Sequence, residues 1–147
     1  MNVLLSNYVL LAAAASWTVA QITKIIYYSI KSKHFTLKYF LSSGGFPSSH
    51  SATVTSLAAS CAITLGIGSP AFAITTILAS VVIYDSVGVR QTTGRLSASL
   101  NMLQLSHPEL FNEKEQFDEE TGHNIIEVIA GIFIGLTTGI LLPLILI

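Results

Sequence analysis

The sequence predicts an all-α protein, a small helical bundle embedded in a membrane, with about four transmembrane or membrane-embedded helices and one short interfacial helix. Of the 147 residues, 51% are hydrophobic and only 10% are charged, whereas soluble domains typically carry about 25% charged residues. The charged side chains are therefore too few to cover the surface of an ordinary soluble domain. A very apolar soluble bundle is the alternative. We expect a single domain over residues 1–147.

Four apolar segments supply the predicted helices: residues 3–23, 51–67, 70–84 and about 125–147. A membrane-spanning helix needs about 20 apolar residues, and the first and last segments reach that length. The two middle segments are shorter, and the turn sequence Gly66-Ile67-Gly68-Ser69-Pro70 joins them. We predict that they form a tight hairpin crossing most or all of the bilayer. No basic residues precede the first segment, which favours a retained helix over a cleaved signal peptide.

The basic residues between these segments predict the orientation of the chain. They are Lys24, Lys31, Lys33 and Lys38 in the first loop, and Arg90, Arg95 and Lys114 in the last. The positive-inside rule places both loops in the cytoplasm, so we predict a multi-pass protein of the cell membrane. Leu96, Leu100 and Leu103 have helical spacing and predict the short interfacial helix. The net charge of −1 gives no indication of a nucleic-acid partner.

The first polar stretch, Gly44-Gly45-Phe46-Pro47-Ser48-Ser49-His50-Ser51, precedes an apolar segment. Pro47 suits the first turn of a helix, and Gly44 and Gly45 permit a close-approaching backbone. The N–H groups of Ser48, Ser49 and His50 would then lack intrahelical partners. Such a helix start binds anions such as phosphate. The alternative is a capped helix start that faces lipid headgroups.

The second polar stretch is Tyr84-Asp85-Ser86-Val87-Gly88-Val89-Arg90, at the end of the third apolar segment. An ionisable residue at membrane depth is costly and is a functional candidate. Arginine binds phosphate in bidentate fashion, and Asp85 lies close enough along the chain to fix the geometry of Arg90. The alternative is that both residues anchor the helix at the interface.

The third polar stretch opens the final segment with Gly122, His123 and Glu127. His123 and Glu127 are four residues apart and share one face of a helix, where the carboxylate can orient the imidazole and raise its basicity. Gly131, Gly135 and Gly139 continue that row, and such small residues let another helix approach closely. The row therefore serves an internal helix contact or a homodimer interface. A purely structural histidine–glutamate pair is the alternative.

The predicted topology places His50, Arg90 and His123 on the same side of the membrane, although they are far apart in the chain. Two histidines, a carboxylate, arginines and a hydroxyl-rich helix start suit phosphate chemistry. The reaction would transfer a phosphoryl group to a histidine and then to water.

The motifs Pro47-Ser48-Ser49-His50 and His123 with Glu127 resemble those of the type 2 phosphatidic acid phosphatase superfamily, which also contains the vanadium haloperoxidases. The fuller pattern is similar to the small divergent branch of that superfamily and covers nearly the whole chain. The resemblance implies that His123 is the nucleophile and that Glu127 orients it. It also implies that His50 protonates the leaving oxygen, and that Ser48 and Ser49 bind phosphate.

Several positions depart from the superfamily pattern. Phe117 stands where the superfamily has an arginine, six positions before the nucleophilic histidine. Ser49 replaces a glycine, and Glu127 replaces an aspartate. The first motif, a lysine separated by six residues from Arg-Pro, has as its nearest match Lys31, six residues and then Lys38-Tyr39. Catalysis would need Arg90 to supply the missing guanidinium, with Arg95 or Lys38 in support; Asp85, Gly45 and Gly122 would be supporting residues.

Together these observations predict a membrane phosphatase that hydrolyses a lipid phosphate or an isoprenoid pyrophosphate at the cytoplasmic face. We expect no cofactor and no metal ion. The main alternative is a non-catalytic membrane protein that binds anionic lipid headgroups. A metal site at His50, His123 and Asp85 or Glu127 and a haloperoxidase role are weaker alternatives. A homodimer is an open alternative for the assembly.

Overall fold

The computed structural model describes residues 6–35, 44–111, 116–119 and 121–146. The helices are α1 (Tyr8–Ser32), α2 (Ser49–Leu65), α3 (Pro70–Val87), α4 (Val89–Ser106) and α5 (Ile125–Leu146), with a 3-10 turn at Pro108–Leu110. No β-strand occurs in the residues that the structure describes. The all-α prediction is therefore confirmed. Lys38 and Lys114 lie outside the described residues.

Polar side chains cap the starts of α1, α2 and α3, as is preferred at helix starts. The Asn7 side chain accepts from the N–H of Leu10 at 3.1 Å, at the start of α1. The Ser48 hydroxyl accepts from the N–H of Ser51 at 3.3 Å, at the start of α2. Ser69 does the same for α3, which has proline at its first position. The predicted turn between α2 and α3 is thus present, and the two middle segments form a hairpin.

The first helix extends further than the sequence predicted, through Ser32 instead of ending near residue 23. Residues 25–30 are mostly apolar and continue the helix, and Lys33 ends it in a left-handed conformation with φ of 57°. The extension carries Lys24 into the bundle, where its side chain is fully buried. The prediction that Lys24 belongs to a loop between two helices is therefore wrong.

The centre of the bundle is the contact between α2 and α5, and it is built from small residues. A Cβ added to Gly135 would lie 2.5 Å from the Ala52 carbonyl oxygen, and one added to Gly139 would lie 2.6 Å from that of Ser56. The glycine row of α5 therefore faces α2 of the same chain, where Ser51, Ala52, Ser56 and Ser60 are buried. This close approach is typical of helices packed within membranes.

Large apolar side chains lie on the outside of this bundle, the reverse of a soluble fold. Three helical stretches are long and apolar enough to cross a membrane: Tyr8–Ser32, Pro70–Ser106 and Ile125–Leu146. Residues such as Ile26, Val81 and Phe133 are more than half exposed on these helices. The small polar interior and apolar exterior confirm a membrane-embedded helical bundle, in which α2 is the fourth helix.

Helix α4 follows α3 after the single residue Gly88 and is longer than the short helix that the leucine spacing predicted, with 18 residues. Its leucines at 96, 100 and 103 are exposed. Its opposite face meets residues 116–119 and 121–123, which we call the return segment. There the Asn101 amide donates to the Phe117 carbonyl at 2.9 Å and its oxygen accepts from the Phe117 N–H at 3.0 Å. The return segment is thus packed onto α4.

Candidate functional site

The fold brings the three polar stretches to one end of the bundle. His50 lies in the first turn of α2, Arg90 in the first turn of α4, and His123 two residues before the start of α5. The rings of His50 and His123 have their centroids 6.4 Å apart. The positive charge of Arg90 acts on both imidazoles. The predicted convergence of these residues is therefore present in the structure.

His123 is buried and held at two points, with a relative exposure of 3%. Its backbone N–H donates to the Ser86 carbonyl at 3.0 Å, and its ring Nδ1 lies 2.9 Å from Glu127 Oε2. A carboxylate only accepts hydrogen bonds, so Nδ1 carries the proton and Nε2 carries the lone pair. Nε2 is buried and has no hydrogen-bond partner among the described residues. The arrangement therefore leaves an unprotonated, buried ring nitrogen without a hydrogen-bond partner among the described residues.

Glu127 is itself fixed by Asn124, a residue that the sequence reasoning missed. Glu127 Oε1 accepts from the Asn124 amide at 2.9 Å, and Oε2 accepts from its backbone N–H at 3.2 Å. In return the Asn124 side-chain oxygen accepts from the Glu127 N–H at 3.0 Å. This reciprocal pairing is a capping box, recognisable in sequence as Asn-x-x-Glu before an apolar run. Asn124 thus fixes both carboxylate oxygens of Glu127.

The pKa of His123 is lowered from its ordinary value, chiefly because burial disfavours the charged imidazolium. The hydrogen bond and the negative charge of Glu127 raise the pKa, whereas the positive charges of Lys24 and Arg90 lower it. Burial determines the net direction. His123 is therefore a neutral imidazole near pH 7, the form that acts as a nucleophile or base.

The start of α2 differs in part from the predicted anion-binding helix start. Ser48 is fully buried, and its backbone N–H donates to the Glu127 carbonyl at 3.0 Å. Its hydroxyl caps the helix and also lies 2.9 Å from the Ser51 hydroxyl. The expectation that the Ser48 N–H is unpaired is therefore wrong, because that N–H joins α2 to α5. Ser49 is also buried, whereas His50 is exposed.

Arg90 and Asp85 form the ion pair that their spacing suggested. Arg90 Nε lies 2.7 Å from Asp85 Oδ2, and the two side chains are 45% and 38% exposed. Such exposed pairs contribute at most about 1 kcal/mol to stability. The contact therefore orients the guanidinium more than it stabilises the fold, and it leaves the other guanidinium nitrogens able to bind an anion.

A polar cavity of about 420 Å³ lies beside His123. Its lining comes from α1, α4, the return segment and residues 44–45, and includes Arg95, Gln91 and Glu119. Arg95 donates to the Gln91 side chain at 3.3 Å, and Gln91 donates to the His123 carbonyl at 3.4 Å. Arg95 thus belongs to this cavity. In the described part of the chain, no group of three His, Cys, Asp or Glu side chains could hold a metal ion.

Gly122 and Gly45, which line this cavity, each combine a positive φ with a close contact. Gly122 has φ of +94°, and a Cβ there would lie 2.5 Å from the Gln91 nitrogen. Gly45 has φ of +91°, and a Cβ there would lie 2.7 Å from the Tyr28 hydroxyl oxygen. L side chains rarely adopt such positive φ values. A side chain at either position would therefore strain the backbone that lines the cavity.

Lys24 is the second residue that the sequence reasoning missed. Its ammonium donates to the Gly44 carbonyl at 2.9 Å, and its charge acts on His50, His123 and Glu127. The sequence did indicate Lys24, because a lysine at the end of a long apolar run is costly at membrane depth and is therefore a functional candidate. Lys38, which the sequence analysis named as a supporting phosphate-binding residue, lies outside the described residues.

Comparisons with known proteins agree with this architecture. A family described as "Divergent PAP2 family" matches residues 5–138. The chain is 36% identical to a protein of Bacillus subtilis strain 168 named "Uncharacterized membrane protein YuiD", over 97% of this chain and 96% of that protein. No solved structure matches the chain. With the family match spanning nearly all of the bundle, the resemblance that the motifs suggested is confirmed, and the chain belongs to the divergent branch of the PAP2, or type 2 phosphatidic acid phosphatase, superfamily.

Proposed function

We propose that this protein is a membrane phosphatase that hydrolyses a lipid phosphate or an isoprenoid pyrophosphate through a phosphohistidine on His123. The observation that carries the proposal is the state of the His123 ring. Its Nδ1 is held by Glu127 at 2.9 Å, while its buried Nε2 has no partner among the described residues. A purely structural histidine would use both nitrogens, since unsatisfied buried polar atoms are costly.

In the first step, the Nε2 lone pair of His123 attacks phosphorus and the bond from phosphorus to the leaving oxygen breaks. His50 donates a proton to that leaving oxygen. The positive charge that develops on the His123 ring is stabilised by the Glu127 carboxylate, which accepts the Nδ1–H hydrogen bond. The ring separation of 6.4 Å supports this division of roles, since both imidazoles can reach one phosphate group.

In the second step, water attacks the phosphohistidine, His50 takes the proton from that water, and the nitrogen–phosphorus bond breaks. Inorganic phosphate leaves, and His123 returns to its neutral form. The negative charge of the transferred group would be bound by Arg90 and the start of α2, where Ser48 and Ser49 lie, with Arg95 or Lys38 in support. Preorganised cations and N–H donors of this kind supply the largest part of catalysis in many enzymes.

The site belongs to the cytoplasmic face in this proposal. The support comes from the sequence: all seven lysines and arginines lie between the first and second or between the third and last apolar segments, which the positive-inside rule assigns to the cytoplasm. Substrate would then be taken from the inner leaflet.

The test is the release of inorganic phosphate by the purified protein in detergent from phosphatidate, phosphatidylglycerol phosphate and an isoprenoid pyrophosphate. We expect His123→Ala to lower the rate by roughly 10⁴-fold or more. His107→Ala is the matched control, because His107 is an exposed histidine away from the site, and it should keep the wild-type rate. Full activity in a folded His123→Ala protein would reject His123 as the nucleophile.

A non-catalytic protein that binds anionic headgroups is the second candidate. Two observations favour it: Phe117 stands where the superfamily has an arginine, and the Ser48 N–H is already bonded to Glu127. This candidate predicts binding of phosphatidate vesicles that depends on Arg90, with no phosphate release from any member of the panel. Multiple turnovers by the wild-type protein would eliminate it.

A further inference from the structure

Lys24 is a charged side chain with no exposed surface at all, within a helix that is apolar enough to cross a membrane. Removing an ammonium group from water is costly unless opposite charge and hydrogen bonds compensate. A buried lysine that only supported the fold could be replaced by an apolar residue of similar size. Its presence therefore calls for an explanation in terms of the groups that surround it.

The first such group is the backbone that leads into α2. Lys24 donates to the Gly44 carbonyl at 2.9 Å. Tyr28, one turn further along the same face of α1, accepts from the Phe46 N–H at 3.3 Å, and its ring lies against Gly45. Two side chains of α1 thus hold residues 44–46, and Gly44 and Gly45 form a wall of the polar cavity beside His123.

The second group is the Glu127 carboxylate, with which the Lys24 ammonium interacts electrostatically. The charged or titratable groups that interact electrostatically with His123 are Lys24 on α1, His50 on α2, Arg90 on α4 and Glu127 on α5. Tyr28, Arg95 and Glu119 line the cavity beside it. Lys24 has no exposed surface, so water screens its charge least. A positive charge there opposes a second proton on the His123 ring.

We propose that Lys24 is the positioning residue of this site: it fixes the wall formed by residues 44–46 and supplies a buried positive charge beside Glu127 and His123. Its effect on turnover rests on the proposed phosphatase function. Its effect on the protonation of His123 does not, because that effect follows from the charges in the resting protein.

Three substitutions separate the hydrogen bond of Lys24 to the Gly44 carbonyl from its charge. Lys24→Gln keeps a hydrogen-bond donor but removes the charge, Lys24→Met removes both, and Lys24→Arg keeps both. Lys33→Gln is the matched control, because Lys33 is an exposed lysine at the end of the same helix.

The first measurement is a pH titration of the histidine ring signals by NMR, on the full-length histidine-labelled protein in detergent, with His123 identified from the His123→Ala spectrum. Because the charge of Lys24 lowers the pKa of His123, that pKa should rise in Lys24→Gln and Lys24→Met. It should stay unchanged in Lys24→Arg and Lys33→Gln. An unchanged pKa in folded Lys24→Gln would overturn the charge role.

The second measurement is kcat/KM for phosphate release as a function of pH. Lys24→Gln and Lys24→Met should lose roughly 10²-fold, the size expected when reacting groups are displaced, and their acid limb should move to higher pH. Lys24→Arg should recover most of the loss. A wild-type protein that releases no phosphate would reject the proposed function and leave the titration result standing. An active wild type with unshifted variants would reject the Lys24 inference alone.

Discussion

The described part of the chain contains two histidine–glutamate pairs with nearly the same contact distance and very different surroundings. His123 Nδ1 lies 2.9 Å from Glu127, and His107 Nδ1 lies 3.1 Å from Glu109. The side chains of the first pair are 1% and 15% exposed, whereas those of the second are 55% and 66% exposed. The contact distance is thus shared, and the burial is not.

Burial changes what the same contact can do. At the exposed pair, water competes for both partners and screens their charges, so the contact is worth little. At the buried pair, Asn124 fixes the carboxylate, Ser86 fixes the backbone of the histidine, and the carboxylate alone determines the tautomer. The comparison teaches that the chemistry depends on the surrounding packing more than on the pair.

The largest expected effect comes from removing the carboxylate charge of the buried pair, with the same change in the exposed pair as the control. Glu127→Gln should lower phosphate release by roughly 10² to 10⁴-fold, because the amide no longer stabilises the charged ring and can favour the wrong tautomer. Glu109→Gln should leave the rate unchanged. Rates of the two variants would be compared at saturating substrate. Equal rates would show that burial does not distinguish the pairs.

A smaller effect is expected from removing Arg90, the cation proposed to bind phosphate. Arg90→Gln should lower kcat/KM by roughly 10²-fold, the usual cost of removing one donor from a developing negative charge. Asp85→Asn, which only loosens the guanidinium, should cost less. Phosphate-release kinetics on the same substrate would establish the order. A larger loss in Asp85→Asn would mean that the pair stabilises the fold instead of positioning Arg90.

The third prediction concerns pH. The folded-state pKa of His123 is lowered from its usual value of 6.5, so the neutral, nucleophilic form persists as the pH falls and is lost only below about pH 6.5. Because Glu127 raises that pKa, Glu127→Gln should lower it further, opposite in direction to Lys24→Gln. NMR titration of His123 in the two variants would measure both shifts. Shifts of the same sign would contradict the arrangement of charges.

The sequence was sufficient for contacts between residues close together in the chain and insufficient for those between residues far apart in it. The four-residue spacing predicted the His123–Glu127 pair, although the pair forms across the start of α5, because His123 lies two residues before that helix. The glycine row predicted a close helix contact without identifying the partner helix. The bond from Ser48 to Glu127 joins two helices far apart in the chain. The burial of Lys24 depends in the same way on where residues 44–46 fold back, which no local pattern encodes.

The smallest effect is expected from removing Asn124, which hydrogen-bonds the carboxylate of the buried pair. Asn124→Ala removes a cap whose loss typically costs about 1 kcal/mol of stability, and it frees one oxygen of Glu127. Because Glu127 Oε2 keeps His123 as a partner, we expect only a several-fold fall in kcat, with no change in KM. Thermal unfolding and phosphate release measured on the same preparation would separate the two effects. If stability fell and kcat did not, the capping box would only stabilise the start of α5. Burial would then be sufficient, without Asn124, to distinguish the His123–Glu127 pair from the exposed pair.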